Sequence, residues 1–188
     1  MALSEVMCGG RAERHWRDTG SVSRPALDAI ESYRIGYRVI RHGPVRSLAE
    51  AASARGVEPA DVVKTMVVRR GPDDYLFVLV PGDRAISWPK LRAELGARRL
   101  SLPDAAAALL VTGYERGTIT PLGSRTALPV LADQRMLGRE ITLGAGQHGV
   151  AIAVLADEIL PALGATVADV TEPDNEPPAN RAPAPASG

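Results

Sequence analysis

Apolar positions recur along the chain in short packets whose period keeps changing. Between 25 and 33, Leu27, Ile30 and Tyr33 fall near helical spacing, and Pro25 suits a first turn, so the pattern predicts a helix. Residues 37–40 read as a strand ending at His42-Gly43-Pro44. Ser47-Leu48-Ala49-Glu50 has the form of a capping box, and the helix it opens is expected to stop at Gly56. A turn or helical stub follows at Pro59-Ala60-Asp61. Residues 62–68 and 75–80 are β-branched and apolar, and Gly71-Pro72-Asp73-Asp74 between them makes a hairpin the natural reading.

The second half continues in the same manner. Ser87-Trp88-Pro89 opens a helix expected to run to Gly96, a short strand is expected near 98–100, and Ser101 is expected to cap a helix with Asp104 in its first turn. Strands are expected at 128–132, 140–143, 149–155 and 165–170, with a helix over 157–163 closed by Gly164. Strands mixed with short helices predict an α+β domain over 24–172. Residues 1–23 read as a flexible extension, and 173–188, with five prolines, as a disordered tail.

One stretch breaks the rhythm. Residues 112–123 hold three glycines and one proline between an apolar run and a strand-like run. Such a density of special backbone positions suits a shaped loop that aims several N–H groups at one point. An ordinary connecting loop is the competing reading.

Composition narrows the field. The 188 residues are 45% hydrophobic but only 4% aromatic, so aliphatic side chains must fill the core. The net charge is zero yet unevenly spread, with 17 Lys+Arg against 12 Asp+Glu in residues 1–100 and 5 against 10 in the remainder. The basic half permits contact with a polyanion. A single cysteine, Cys8, excludes an internal disulfide and fits a reducing cytoplasm. No apolar run is long enough to span a bilayer, and no secretion signal is evident, so a cytoplasmic protein is expected.

Chemistry-bearing residues are few. The chain has twenty arginines but only two lysines. Lys64 interrupts an apolar strand, where a compact ammonium needs a partner or a cavity, or guards an edge. Lys90 reads as solvated. His15, His42 and His148 lie far apart without ligand spacing, and no metal motif or nucleophile elbow appears, so a metal site has little support. Asp133 closes a strand and suits either a turn or a ligand contact.

Taken in order, His42-Gly43-Pro44, the run Val63-Lys64-Thr65-Met66-Val67-Val68, Val80-Pro81-Gly82-Asp83-Arg84, the loop through Gly117 and Pro121-Leu122-Gly123, 128–133 and Gly144-Ala145-Gly146 make the chain resemble the YbaK/aminoacyl-tRNA editing domain family. The resemblance covers about 35–170. It implies a curved, partly barrel-like sheet with short flanking helices, and hydrolysis, with neither a metal nor an organic cofactor, of the ester joining a wrong amino acid to the 3′-terminal adenosine of tRNA. It implies Lys64 as the lysine engaging the tRNA end, and Gly117, Thr118, Ile119, Thr120 and Pro121 as the loop receiving the aminoacyl group. His42, Thr65, Tyr114, Asp133, Gly144, Gly146 and His148 stand as candidates for binding the substrate around them. The partners implied are a tRNA 3′ end and, second to it, an aminoacyl-tRNA synthetase; no membrane is implied. The Gly-Thr-Ile-Thr-Pro wording leaves the amino acid open among small side chains. A free-standing trans-editing enzyme is expected, with a non-catalytic module gripping a tRNA end or nucleotide, or a hydrolase of another activated ester, as the alternatives.

Overall fold

The computed structural model describes residues 24–174. Within them, nine strands and five helices follow one another as α1 (Arg24–Ser32), β1 (Tyr37–Arg41), α2 (Leu48–Arg55), β2 (Val63–Gly71), β3 (Asp74–Pro81), β4 (Arg84–Ile86), α3 (Trp88–Leu95), α4 (Ala105–Thr112), β5 (Val130–Asp133), β6 (Glu140–Gly144), β7 (Val150–Leu155), α5 (Ala156–Ala162), β8 (Thr166–Ala168) and β9 (Thr171–Pro173). Single 3-10 turns stand at Pro59–Asp61 and Gln134–Met136.

Local signals explain most of these boundaries. The Ser47 hydroxyl accepts from the Glu50 N–H at 3.2 Å, and the Glu50 carboxylate reaches back to the Arg46 N–H at 2.8 Å. Gly56 ends α2 in the left-handed region at φ 68°, as its place in the sequence required. Asp104, not Ser101, caps α4, its carboxylate accepting from the Ala107 N–H at 2.7 Å.

The strands form three sheets, and none closes into a barrel. One has the order β1-β7-β6, all antiparallel. The second has the order β2-β3-β5-β8, in which the β2–β3 hairpin joins two parallel pairs. The third is the short antiparallel pair β4-β9. A parallel bridge between Val62 and Thr142 couples the edge of the second sheet to the first.

Alternation along β2 divides the interior. Val63 and Val67 face a large core shared with Phe77, Leu79, Leu143, Ile152 and the apolar faces of α1 and α5. Val68 and Met66 face a smaller core with Val78, Ile86, Leu91 and Val170, under α3 and β4. Burying one such aliphatic side chain stabilises the fold by roughly 1.5–3 kcal/mol, so both faces of the second sheet carry weight. Two expectations need correction. Residues 98–100 form no strand; only a single bridge joins Ser101 to Arg69. The ordered chain also runs past 172, because Pro173 pairs with Arg84 in the third sheet and Asp174 donates its N–H to the Asp83 carbonyl at 3.1 Å.

Candidate active site

The loop over 113–124 is closed at its neck and braced from within. The Arg125 N–H donates to the Thr112 carbonyl at 2.9 Å, and the Thr112 hydroxyl accepts from the Tyr114 N–H at 3.1 Å. Tyr114 is buried, and its hydroxyl donates to the carbonyls of Leu122 at 2.7 Å and Gly123 at 3.1 Å. Thr118 folds its hydroxyl and N–H onto the Glu115 carbonyl, both at 2.9 Å, and buried Thr120 accepts from the Leu122 N–H at 3.3 Å. Tyr114 is therefore a strut of the loop, a correction to its reading as a substrate contact. Among the described residues, seven main-chain N–H groups of the loop have no acceptor, those of Glu115, Arg116, Gly117, Ile119, Thr120, Gly123 and Ser124; Gly117 and Ile119 flank Thr118 at the bend. A stiff bend with donors unspent can receive an oxygen that gains negative charge.

The turn after β6 lies against this bend. A Cβ built on Gly144 would stand 3.3 Å from the Ile119 carbonyl oxygen and 3.4 Å from that of Thr118, so the absence of a side chain lets β6 approach the loop main chain. Gly117 sits at φ 92°, with His148 Cε1 3.4 Å from where its Cβ would be. His148 is well exposed, and its Nε2 lies 3.9 Å from a Glu115 carboxylate oxygen. Gly146, at φ 73°, turns the chain between them. Gly144, Gly146 and His148 thus stand together with 117–121, although the sequence placed more than twenty residues between the two stretches.

β2 contributes two neighbours that point in different directions. Thr65 alternates with Val63 and Val67, on the side where Ile119 and Leu122 pack. Its hydroxyl oxygen is buried without a hydrogen-bond partner among the described residues, an arrangement that costs free energy unless something else meets it. Lys64 turns instead to the β4–β9 side. Its ammonium donates to the Arg84 carbonyl and to an Asp174 carboxylate oxygen, the latter at 3.0 Å, and its side chain keeps 29% exposure. The ammonium is thus held by the chain's own C-terminal segment and not by the loop. The main chains are nearer than the side chains suggest: two residues beyond the Val62–Thr142 bridge stand Lys64 on one strand and Gly144 on the other.

Two further candidates are engaged by the fold itself. Asp133 is wholly buried and accepts from the Arg135 N–H and guanidinium, the Val170 N–H and the Thr171 hydroxyl at 2.7–3.2 Å. Burial alone would raise its pKa; the hydrogen bonds from Arg135, Thr171 and Val170 outweigh that and hold it below the ordinary carboxylate value. This corrects its reading as a ligand contact, since its oxygens dock β9. His42 has both ring nitrogens engaged, Nδ1 with the Gly43 carbonyl at 2.8 Å and Nε2 with the Arg55 guanidinium at 3.4 Å. A ring carrying its proton on Nδ1 satisfies both contacts. Burial lowers the pKa of Arg55, whose guanidinium also donates to Thr142. Lys90 is not merely solvated: it pairs with Asp169 at 2.9 Å and donates to the Thr171 carbonyl, and with Arg135 it pulls the Asp169 carboxyl down to about 2.

These features meet in a known class. The family model for the aminoacyl-tRNA editing domain matches residues 42–160, and the chain belongs to that family. By class it is therefore an aminoacyl-tRNA editing enzyme. It is 24% identical, over 78% of its own length and 92% of the relative's, to a protein of Enterococcus faecalis assigned as the Cys-tRNA(Pro)/Cys-tRNA(Cys) deacylase EbsC. It is 33% identical to the proline--tRNA ligase of Acidithiobacillus ferrooxidans over 63% of this chain but only 20% of the ligase. A crystal structure assigned to a trans-editing enzyme for prolyl tRNA synthetase superposes with a TM-score of 0.75 at 27% identity, covering 82% of this chain and 99% of that one. Among the described residues no group of His, Cys, Asp and Glu is placed to hold a metal ion, and no helix is long and apolar enough to cross a membrane.

Proposed function

We propose that the chain is a free-standing aminoacyl-tRNA deacylase that removes a small amino acid, such as cysteine, alanine, serine or threonine, from a mischarged tRNA, with tRNA-Pro the leading candidate. The observation that carries this reading is the braced loop with the unspent N–H groups of Gly117 and Ile119, within a chain of the editing family. An aminoacyl ester is already activated. Water adds to the ester carbonyl, the carbonyl oxygen becomes an oxyanion held by the loop N–H groups, and collapse expels the ribose oxygen, which takes up a proton. A vicinal hydroxyl of the terminal ribose assists the attacking water, so the protein need not supply the base. Lys64 positions the 3′ end through its phosphate or ribose once it leaves Asp174. Thr65, Gly144, Gly146 and His148 line the aminoacyl pocket, where side-chain size is screened at about 1–3 kcal/mol per methylene.

The contact between Lys64 and Asp174 is the observation that favours the other reading, a module that grips a tRNA end without hydrolysis. A panel of mischarged tRNAs with released amino acid measured for each separates the two. Release from one small-residue substrate and not from correctly charged tRNA is the expected result. Binding of the whole panel with release from none would establish the non-catalytic module and end the deacylase reading.

A further inference from the structure

We propose that a groove at the far end of β2 is a second contact for RNA, which grips the sugar-phosphate backbone of the duplex stem behind the aminoacylated end. The groove, of about 680 Å³, gathers Arg69, Arg70, Arg92, Arg98 and Arg99. The inference rests on the deacylase reading for the identity of the RNA, but its evidence is separate.

The five arginines come from three segments that the fold brings together. Arg69 and Arg70 end β2 next to the hairpin turn. Arg92 lies in the last turn of α3, and Gly96, at φ 59°, then reverses the chain so that 98–101 runs back alongside β2. Two main-chain hydrogen bonds fix that return, Arg69 N–H to the Ser101 carbonyl at 2.8 Å and Ser101 N–H to the Arg69 carbonyl at 3.1 Å. A solvated charge run would need no such construction. Only Arg70 is neutralised, by Asp74 at 2.7 Å; among the described residues Arg69, Arg92, Arg98 and Arg99 have no ion pair. Crowding like charges in one groove costs free energy that an anion recovers.

The chemistry of the lining selects the anion. A guanidinium presents a planar fork that matches two phosphate oxygens, and the groove holds arginines with no lysine. No aromatic side chain lines it, so it offers no platform for unstacked bases and suits backbone contact with a duplex. Its position fits as well. Lys64 and Arg70, which also lines the groove, are six residues apart on one strand, about 20 Å at strand rise, so RNA with its 3′ end at Lys64 can lay its stem across the arginines.

The test uses the full chain and a fluorescent, uncharged RNA hairpin that copies an acceptor stem with its single-stranded 3′ end. Arg69, Arg98 and Arg99 are exposed, and their side chains make no hydrogen bond to the fold among the described residues, so R69Q/R98Q/R99Q is expected to keep the wild-type melting temperature. Its Kd for the hairpin should rise at least about tenfold at 0.1 M salt, and the slope of log Kd against log salt should flatten by about two to three, roughly one for each phosphate left without a guanidinium. On mischarged substrates, kcat/KM for the tRNA relative to 3′-aminoacyl-adenosine should fall by a similar factor. An unchanged Kd and slope in the folded variant would overturn the proposal. So would an oligoglutamate peptide that binds the groove more tightly than the hairpin. Failure of the wild type to release any amino acid would defeat the deacylase reading alone, because the hairpin measurement needs no turnover.

Discussion

At the scale of single residues, the two most informative side chains are Lys64 and Asp133, and they owe their positions to the same C-terminal segment. Asp174 holds the ammonium of one, and Asp133 holds the segment itself through Val170 and Thr171. Lys64→Ala is expected to lower deacylation of the responsive mischarged tRNA at least about tenfold with an unchanged melting curve, since the pair it breaks is partly exposed and worth less than about 1 kcal/mol. Asp174→Asn should act in the opposite direction, lowering KM by at most about fivefold, as the ammonium gains freedom to meet RNA. Full activity in the alanine variant would remove Lys64 from the site. For Asp133 the sign is fixed by its depressed pKa. Its contribution is complete above the ordinary carboxylate value near 3.8 and is lost as pH falls below it through the folded value. Melting temperature measured against pH should therefore drop below about pH 4 in the wild type, and Asp133→Asn should start lower by about 3 kcal/mol and decline less over that window.

At the scale of elements, the loop depends on its neighbours for shape. Gly123 is at φ 62°, and a Cβ there would lie 2.2 Å from the Pro25 carbonyl oxygen of α1. Neither backbone can yield without disturbing the large core, to which Ala26 and Ile30 belong. Gly123→Ala should cost about 2–3 kcal/mol of stability, read by denaturant unfolding. Gly117→Ala meets only a histidine side chain at 3.4 Å, but its φ of 92° strains any side chain, so it should cost about 1–2 kcal/mol, less than Gly123→Ala, and reduce deacylation by reshaping the bend; the converse ranking would contradict the roles given to these two glycines. Most elements were legible because their signals are local: the Ser47–Glu50 box, the glycines that end α2 and α3, and the hairpin turn all act within a few residues. β4 and β9 escaped because each has three residues, too few to show a period, and their middle residues, Ala85 and Glu172, pair across 87 positions. Arg98 and Arg99 read as part of a strand because nothing local reveals that Gly96 folds them back beside β2. The division of labour between Lys64 and Thr65 was hidden as well, since adjacent strand residues face opposite sides whichever core each side meets.

At the scale of the whole molecule, a chain of zero net charge gathers five arginines in one groove, two of them on the same strand as Lys64. The two limits of the described chain also border the candidate site. α1 begins at Arg24 and presses Pro25 onto the loop at Gly123, while Asp174 rests on Lys64. A folded reporter joined directly after Asp174 should raise KM for tRNA several-fold with little change in kcat, and a long polar spacer should restore it. If the RNA end meets Lys64 as proposed, it competes with Asp174 for one ammonium, so entry can be tuned at the rim of the domain by a single carboxylate without touching the interior.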